Sequence, residues 1–183
     1  MERISRQVIF KVTINNNMEI IGVQIDFETP LYKKDGKFYI KDDVIEIEKE
    51  EEIELILESS GDVVEQYVAL KTDKDIVNSE GDKAKSWAFW WSKNNEPIVL
   101  TVKSKKKKLE IWNGWKDEHG LPLSGTGGSG MRIEDLKDGS RRYHCNNATM
   151  NNDFDDLVFR IKRKNGKPVW SYVVENGFYE NKK

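Results

Sequence analysis

The chain has 183 residues, a formal net charge of −2, 37% hydrophobic and 34% charged residues, and one cysteine, Cys145. This near-neutral balance argues against a nucleic-acid partner, which selects for a basic excess, and a lone cysteine excludes an intrachain disulfide. No apolar stretch reaches the roughly 20 residues of a membrane helix, and the charged opening Met1-Glu2-Arg3 lacks the apolar core of a secretion signal. The expected product is made in the cytoplasm and is either retained there or released by a non-classical route.

A chain of this length buries a sizeable core as one domain, 1–183, with a weak boundary in the Gly/Ser-rich stretch 120–130. The first two-thirds reads mainly as β. Residues 8–14 place Val8, Phe10, Val12 and Ile14 on one face. Asn15-Asn16-Asn17 signals a turn into a second run, 19–27. Asp35-Gly36 between Leu31-Tyr32 and Phe38-Tyr39-Ile40 predicts a hairpin. Residues 44–48 and 53–57 are rich in Glu and Leu, which favour a helix, but their β-branched content and period of two favour strands. The helix candidate is 62–68, where Asp62 caps and Glu65 completes a capping box. Polar residues 71–85 read as a loop.

Trp87, Phe89 and Trp91 fall on one strand face, with Ala88 and Trp90 on the other. Residues 98–102 and 109–112 read as a hairpin with a lysine-rich tip, 103–108, whose plainest role is a solvated turn. Trp112-Asn113-Gly114-Trp115 reads as an exposed aromatic turn, and aromatic faces stack on the apolar faces of sugars. Trp112, Asn113 and Trp115 are therefore candidate ligand-binding residues. The glycine-rich loop lacks the lysine of a phosphate-binding loop and the dinucleotide fingerprint. In the C-terminal part, 157–163 and 169–174 flank an Asn165-Gly166 turn, a hairpin by turn chemistry. His144 and Cys145 are neighbours, and a strand sends neighbours to opposite faces, so they are poorly placed as base and nucleophile.

The sharpest chemistry lies in Asn151-Asn152-Asp153-Phe154-Asp155-Asp156, which runs directly into Leu157-Val158-Phe159. Oxygen-bearing side chains at this density repel one another unless a cation compensates. Hard oxygen donors suit Ca²⁺, which accepts six to eight of them in flexible geometry. Without a metal, the same residue types are ordinary turn formers. Together with the upstream Ile133-Glu134-Asp135-Leu136, this stretch resembles the calcium-binding β-domains of bacterial surface and secreted proteins. There a Glu-Asp-Leu element precedes an acidic loop that opens a strand. The loop is also similar in chemistry to that of the calcium-dependent bacterial fucose/mannose-binding lectins.

The resemblance covers residues 131–160. It implies a β-sandwich fold, Ca²⁺ as cofactor, and Glu134 or Asp135 joining Asn151, Asp153, Asp155 and Asp156 as metal ligands. In the lectins a pair of calcium ions coordinates sugar hydroxyls. This chain has Asn151 where Asp is common and Asp155 where Asn is common, and it ends in Asn181-Lys182-Lys183 in place of the lectins' C-terminal carboxylate. The exchange at 151 and 155 redistributes charge without losing it, and the different C-terminus favours a structural calcium over a sugar-coordinating pair.

The expectation is thus an all-β protein: an antiparallel two-sheet β-sandwich of roughly eight to ten strands with at most one short helix. Its expected role is a non-catalytic calcium-binding module with a glycan ligand. The alternative is a self-associating or partner-binding structural or toxin-component protein, a homo-oligomer in which calcium is only structural.

Overall fold

A computed structural model describes the backbone of residues 3–4, 8–14, 17–23, 31–34, 37–61, 64–91, 96–125, 129–147 and 153–169, with side chains from Tyr39 onward. All regular structure among these residues is β, and no helix occurs. In chain order the strands are β1 (Arg3–Ile4), β2 (Val8–Ile14), β3 (Asn17–Val23), β4 (Leu31–Lys34), β5 (Lys37–Ile40), β6 (Asp43–Glu46), β7 (Glu50–Ser60), β8 (Gln66–Val77), β9 (Lys83–Trp90), β10 (Ile98–Lys103), β11 (Lys108–Lys116), β12 (Pro122–Ser124), β13 (Gly130–Asp135), β14 (Arg141–Asn146) and β15 (Leu157–Arg163).

Two of the hairpins read from turn residues form as expected. β2 pairs with β3 as a sheet of its own, and β4 pairs with β5 around Asp35-Gly36. Residues 44–57 take the extended alternative. Along β7 the side chains of Ile53, Leu55 and Leu57 are buried, while Glu52 is exposed and Glu54, Ile56 and Glu58 are half-buried. A helix would smear that alternation around its circumference.

Three expectations are corrected. Residues 66–68 of the helix candidate open β8, where Val68 and Leu70 enter the core and the backbone is shared between β9 and β11; Asp62 and Val63 lie outside the described residues. The expected loop at 71–85 is the rest of that hairpin. β8 continues to Val77, and the turn is closed by the Asn78 side chain, which accepts from the N–H groups of Glu80 (3.1 Å) and Asp82 (2.8 Å), with Gly81 at φ 88°. Its polar composition reflects a half-exposed ribbon.

The third correction concerns the lysine-rich tip. β10 and β11 do not pair with each other. Both run antiparallel to β8 along one edge, and to β7 and β6 along the other. They are one strand course interrupted by a bulge at 104–107. Asp73 holds the bulge, accepting from Ser104 Oγ (2.6 Å) and the Lys105 N–H (3.0 Å), and these hydrogen bonds, Ser104's first, keep its carboxyl below the ordinary value. Lys107 takes φ 57°. The C-terminal hairpin is described only as far as its Asn165-Gly166 turn and Val169; its second strand lies outside the described residues.

Among the described residues thirteen strands form one antiparallel sheet, ordered β1-β4-β5-β13-β14-β15-β7-β10-β8-β11-β12, with β6 on β11 and β9 on β8. β5 pairs with β13 at Met131↔Ile40, and after two intervening residues the same chain is β6, paired with β11. The sheet therefore curls back on itself into a nearly closed, barrel-like form. Inside lies a single apolar cluster drawn from both sides of the 120–130 loop, including Ile53, Leu55, Leu70, Leu100, Ile111, Met131, Tyr143, Leu157 and Phe159. The Tyr143 and Phe159 rings stack at 4.6 Å, a contact worth about 0.5–1.5 kcal/mol beyond area burial.

Candidate functional site

The acidic loop sits between β14 and β15. Phe154 takes φ 64°, a left-handed conformation costing a non-glycine residue roughly 1–2 kcal/mol. Burial of its ring offsets that cost. The ring is 3% exposed, 6.1 Å from the Tyr39 ring and 5.8 Å from the Arg132 guanidinium. Turning Phe154 inward leaves Asp153 and Asp155 exposed on either side. The Asp155 N–H donates to Asp153 Oδ1 at 3.3 Å, the usual aspartate turn.

Asp156 is fastened from three directions. Its Oδ2 accepts from the Asn147 N–H (2.8 Å) and its own N–H donates to the Cys145 carbonyl (3.1 Å). Its carbonyl accepts from the Gly61 N–H (2.7 Å) and from the buried Gln66 amide. Burial, and then the neighbouring charges of Asp153 and Asp155, push the Asp156 carboxyl above its ordinary value, although the Asn147 hydrogen bond pulls the other way. The three carboxylates thus share one short, well-anchored loop and repel one another.

The two upstream acids are not gathered into this loop. They occupy adjacent positions of β13 and go to opposite faces. On the outer face Glu134 meets Arg142 (3.1 Å) and His144 (3.3 Å). Burial opposes ionisation of Glu134, but the hydrogen bonds from His144 and Arg142 outweigh it and hold the carboxyl below its ordinary value. His144 Nδ1 lies 3.8 Å from Asp155, so Glu134 reaches the loop only through this imidazole.

Asp135 faces the other way and grips Arg141 with both oxygens, at 2.6 and 3.2 Å. Arg141 also donates to Asp43 at 3.0 Å, and the buried Tyr143 hydroxyl donates to the same Asp43 oxygen at 2.9 Å. Asp135 therefore belongs to a buried charge group that ties β6 to the β13–β14 hairpin. Asn151 lies outside the described residues. Among the described residues, no three His, Cys, Asp or Glu side chains converge closely enough to hold a metal ion.

Residues 112–115 are not an exposed turn; they are part of β11. Asn113 is 2% exposed, donating to the Asn146 carbonyl at 3.2 Å, and Trp115 is 4% exposed. Both face inward because β11 is a strand between β8 and β12 here. Trp112 alone of the three is half-exposed. The alternation expected around Trp90 holds. Trp87, Phe89 and Trp91 pack against the core, whereas Trp90 lies at 4.7 Å from the Tyr67 ring, with the Lys116 ammonium 4.7 Å from its centroid.

Cys145 is buried and its thiol is pushed well up by burial, while His144 points to the opposite face. The residues that sequence reading missed are Asp43, Arg141, Arg142, Tyr143 and Gln66. Their signal was faint: opposite charges facing each other across β13 and β14, Glu134↔Arg142 and Asp135↔Arg141, in a register visible only after folding.

Comparison with models of known families, with curated proteins and with solved structures gives no match to this chain.

Proposed function

We propose that this protein is a non-catalytic β-module that takes up a calcium ion on the loop at Asp153, Asp155 and Asp156 and recognises carbohydrate. One observation supports the calcium part above others. Three carboxylates fall within four residues, the last of them, Asp156, is pinned by hydrogen bonds with Asn147, Gly61 and Cys145, and its carboxyl is raised by burial and then by its two acidic neighbours. A divalent cation relieves that repulsion, and Asp156 is held in place beforehand. Asn151 completes the proposed donor set with backbone carbonyls and water, while Glu134 stays engaged by Arg142 and His144 and acts on the loop through that imidazole. Asp135, committed to Arg141, is left out.

Calorimetric titration with Ca²⁺ tests this directly. Binding raises the melting temperature by mass action, worth about 2.7 kcal/mol when calcium stands at a hundredfold its dissociation constant. The double variant Asp153→Ala/Asp156→Ala is expected to lose both the heat signal and the thermal shift. A wild-type chain with the same melting temperature in calcium and in chelator would refute the reading.

A second reading, association with another chain, is favoured by β9. Among the described residues it pairs only with β8, leaving an eight-residue strand edge unshared. Concentration-dependent sedimentation with no glycan bound supports that alternative.

A further inference from the structure

The outer face of β8, β9 and β11 holds a set of side chains that share nothing with the calcium loop. In register, Trp90 lies opposite Tyr67, and Tyr67 opposite Gly114. Two residues further along, Ala88 lies opposite Ala69, and Ala69 opposite Trp112. A strand's period of two keeps both rows on one face. A Cβ added at Gly114 would stand 2.1 Å from Tyr67 Cζ, so the Tyr67 ring leans across this glycine. The result is a low floor, open to solvent at Ala88 and flanked by the half-exposed Trp90 and by Trp112, whose ring also packs in part against the core; the Tyr67 ring between them is itself buried. It spans about two strand spacings, ~10 Å.

The rim indicates what fits. Lys71 is paired with Glu110 at 3.0 Å and Lys116 with Glu65. Asp42 lies one step beyond the Ile111↔Asp43 pair, which places it beside Trp112. It is half-buried, near enough to Asp43 and Glu110 for their charges to oppose its own, and among the described residues no donor or cation is recorded against it. A carboxylate in that position accepts hydrogen bonds, and the surrounding acids repel an anion. The lysines, already neutralised, offer no net attraction to one. Flat rings, a shallow floor and an unanswered acceptor suit a molecule with apolar C–H faces and hydroxyl donors.

We propose that this face is the carbohydrate site: neutral hexose units stack on the half-exposed Trp112 and Trp90 rings above Ala88, and donate hydroxyls to Asp42. This rests on the carbohydrate part of the reading above and assigns recognition to the aromatic face, with no sugar contact from the calcium.

The test is an array of neutral glucose, mannose, galactose and xylose oligomers, run with calcium and with EDTA, followed by titration of the bound oligomers. Ala88→Glu fills the floor from an exposed position without disturbing the core, and Asp42→Asn removes the acceptor's charge. Both are expected to weaken binding at least tenfold, with unchanged melting curves, while Asp153→Ala/Asp156→Ala still binds in EDTA. Wild-type affinity in Ala88→Glu and Asp42→Asn, with binding lost in the loop variant or in EDTA, would overturn this site and leave the carbohydrate reading standing. Binding of anionic glycans only would also overturn it. No oligomer bound under either condition would overturn both.

Discussion

Asp156 shows how one side chain balances opposing demands. Its carboxylate satisfies the Asn147 N–H, yet burial and two adjacent acids disfavour its charge. For an acid whose folded-state value is raised, the ionised form carries the penalty. That penalty is absent below the ordinary carboxylate range and sets in as pH rises through it, becoming complete above the folded-state value. Asp156→Asn keeps an oxygen for Asn147 and removes the charge. In chelator at neutral pH the variant is expected to melt at or above the wild-type temperature, with the difference closing toward about pH 3. In millimolar calcium the order reverses, because only the wild type gains from the ion. A variant that melts well below wild type in chelator would mean that the charged hydrogen bond outweighs the repulsion.

The strands show why period alone was a good guide to faces and a poor guide to boundaries. β7 and β9 were legible because their apolar residues alternate cleanly, down to Trp90 pointing away from Trp87 and Phe89. Residues 71–85 were not, since a hairpin exposed on one face and rimmed by Lys and Asp has the composition of a loop. β11 misled in the opposite direction. Asn-Gly inside Trp112-Asn113-Gly114-Trp115 is a strong turn signal, yet the glycine is there to let the Tyr67 ring lie across the strand. Gly114→Ala is expected to displace that ring and break its contact with Trp90, costing about 1–3 kcal/mol in urea denaturation and changing the tryptophan fluorescence. If Gly114→Ala leaves both untouched, the ring has room that the geometry denies it.

For the whole molecule the decisive feature is closure. The stretch from β5 to β6 joins the β13 end of the sheet to β11, and the charge group of Asp43, Arg141, Asp135 and Tyr143 locks it there. Arg141 is held well above its ordinary value by Asp43, Tyr143 and Asp135 despite burial, which acts against it. Removing one member of such a group strands the others without compensation, at about 3–5 kcal/mol. Arg141→Met should therefore destabilise the fold by that order in chemical denaturation, and adding Asp43→Asn to it should restore part of the loss. Equal stability of Arg141→Met and wild type would show that closure rests on the apolar core alone.

Composition and alternation were enough to establish an all-β chain without a membrane-spanning helix among the described residues, and to locate the acidic loop, because these follow from the spacing of side chains along a single strand. The partners across strands were beyond that reach. Register decides that Glu134 answers Arg142 and Asp135 answers Arg141, that Asp43 comes from a strand 98 residues upstream of Arg141, and that Trp112 shares a face with Trp90. Register depends on which strands meet, and burying one common core in a nearly closed sheet is what brings them together.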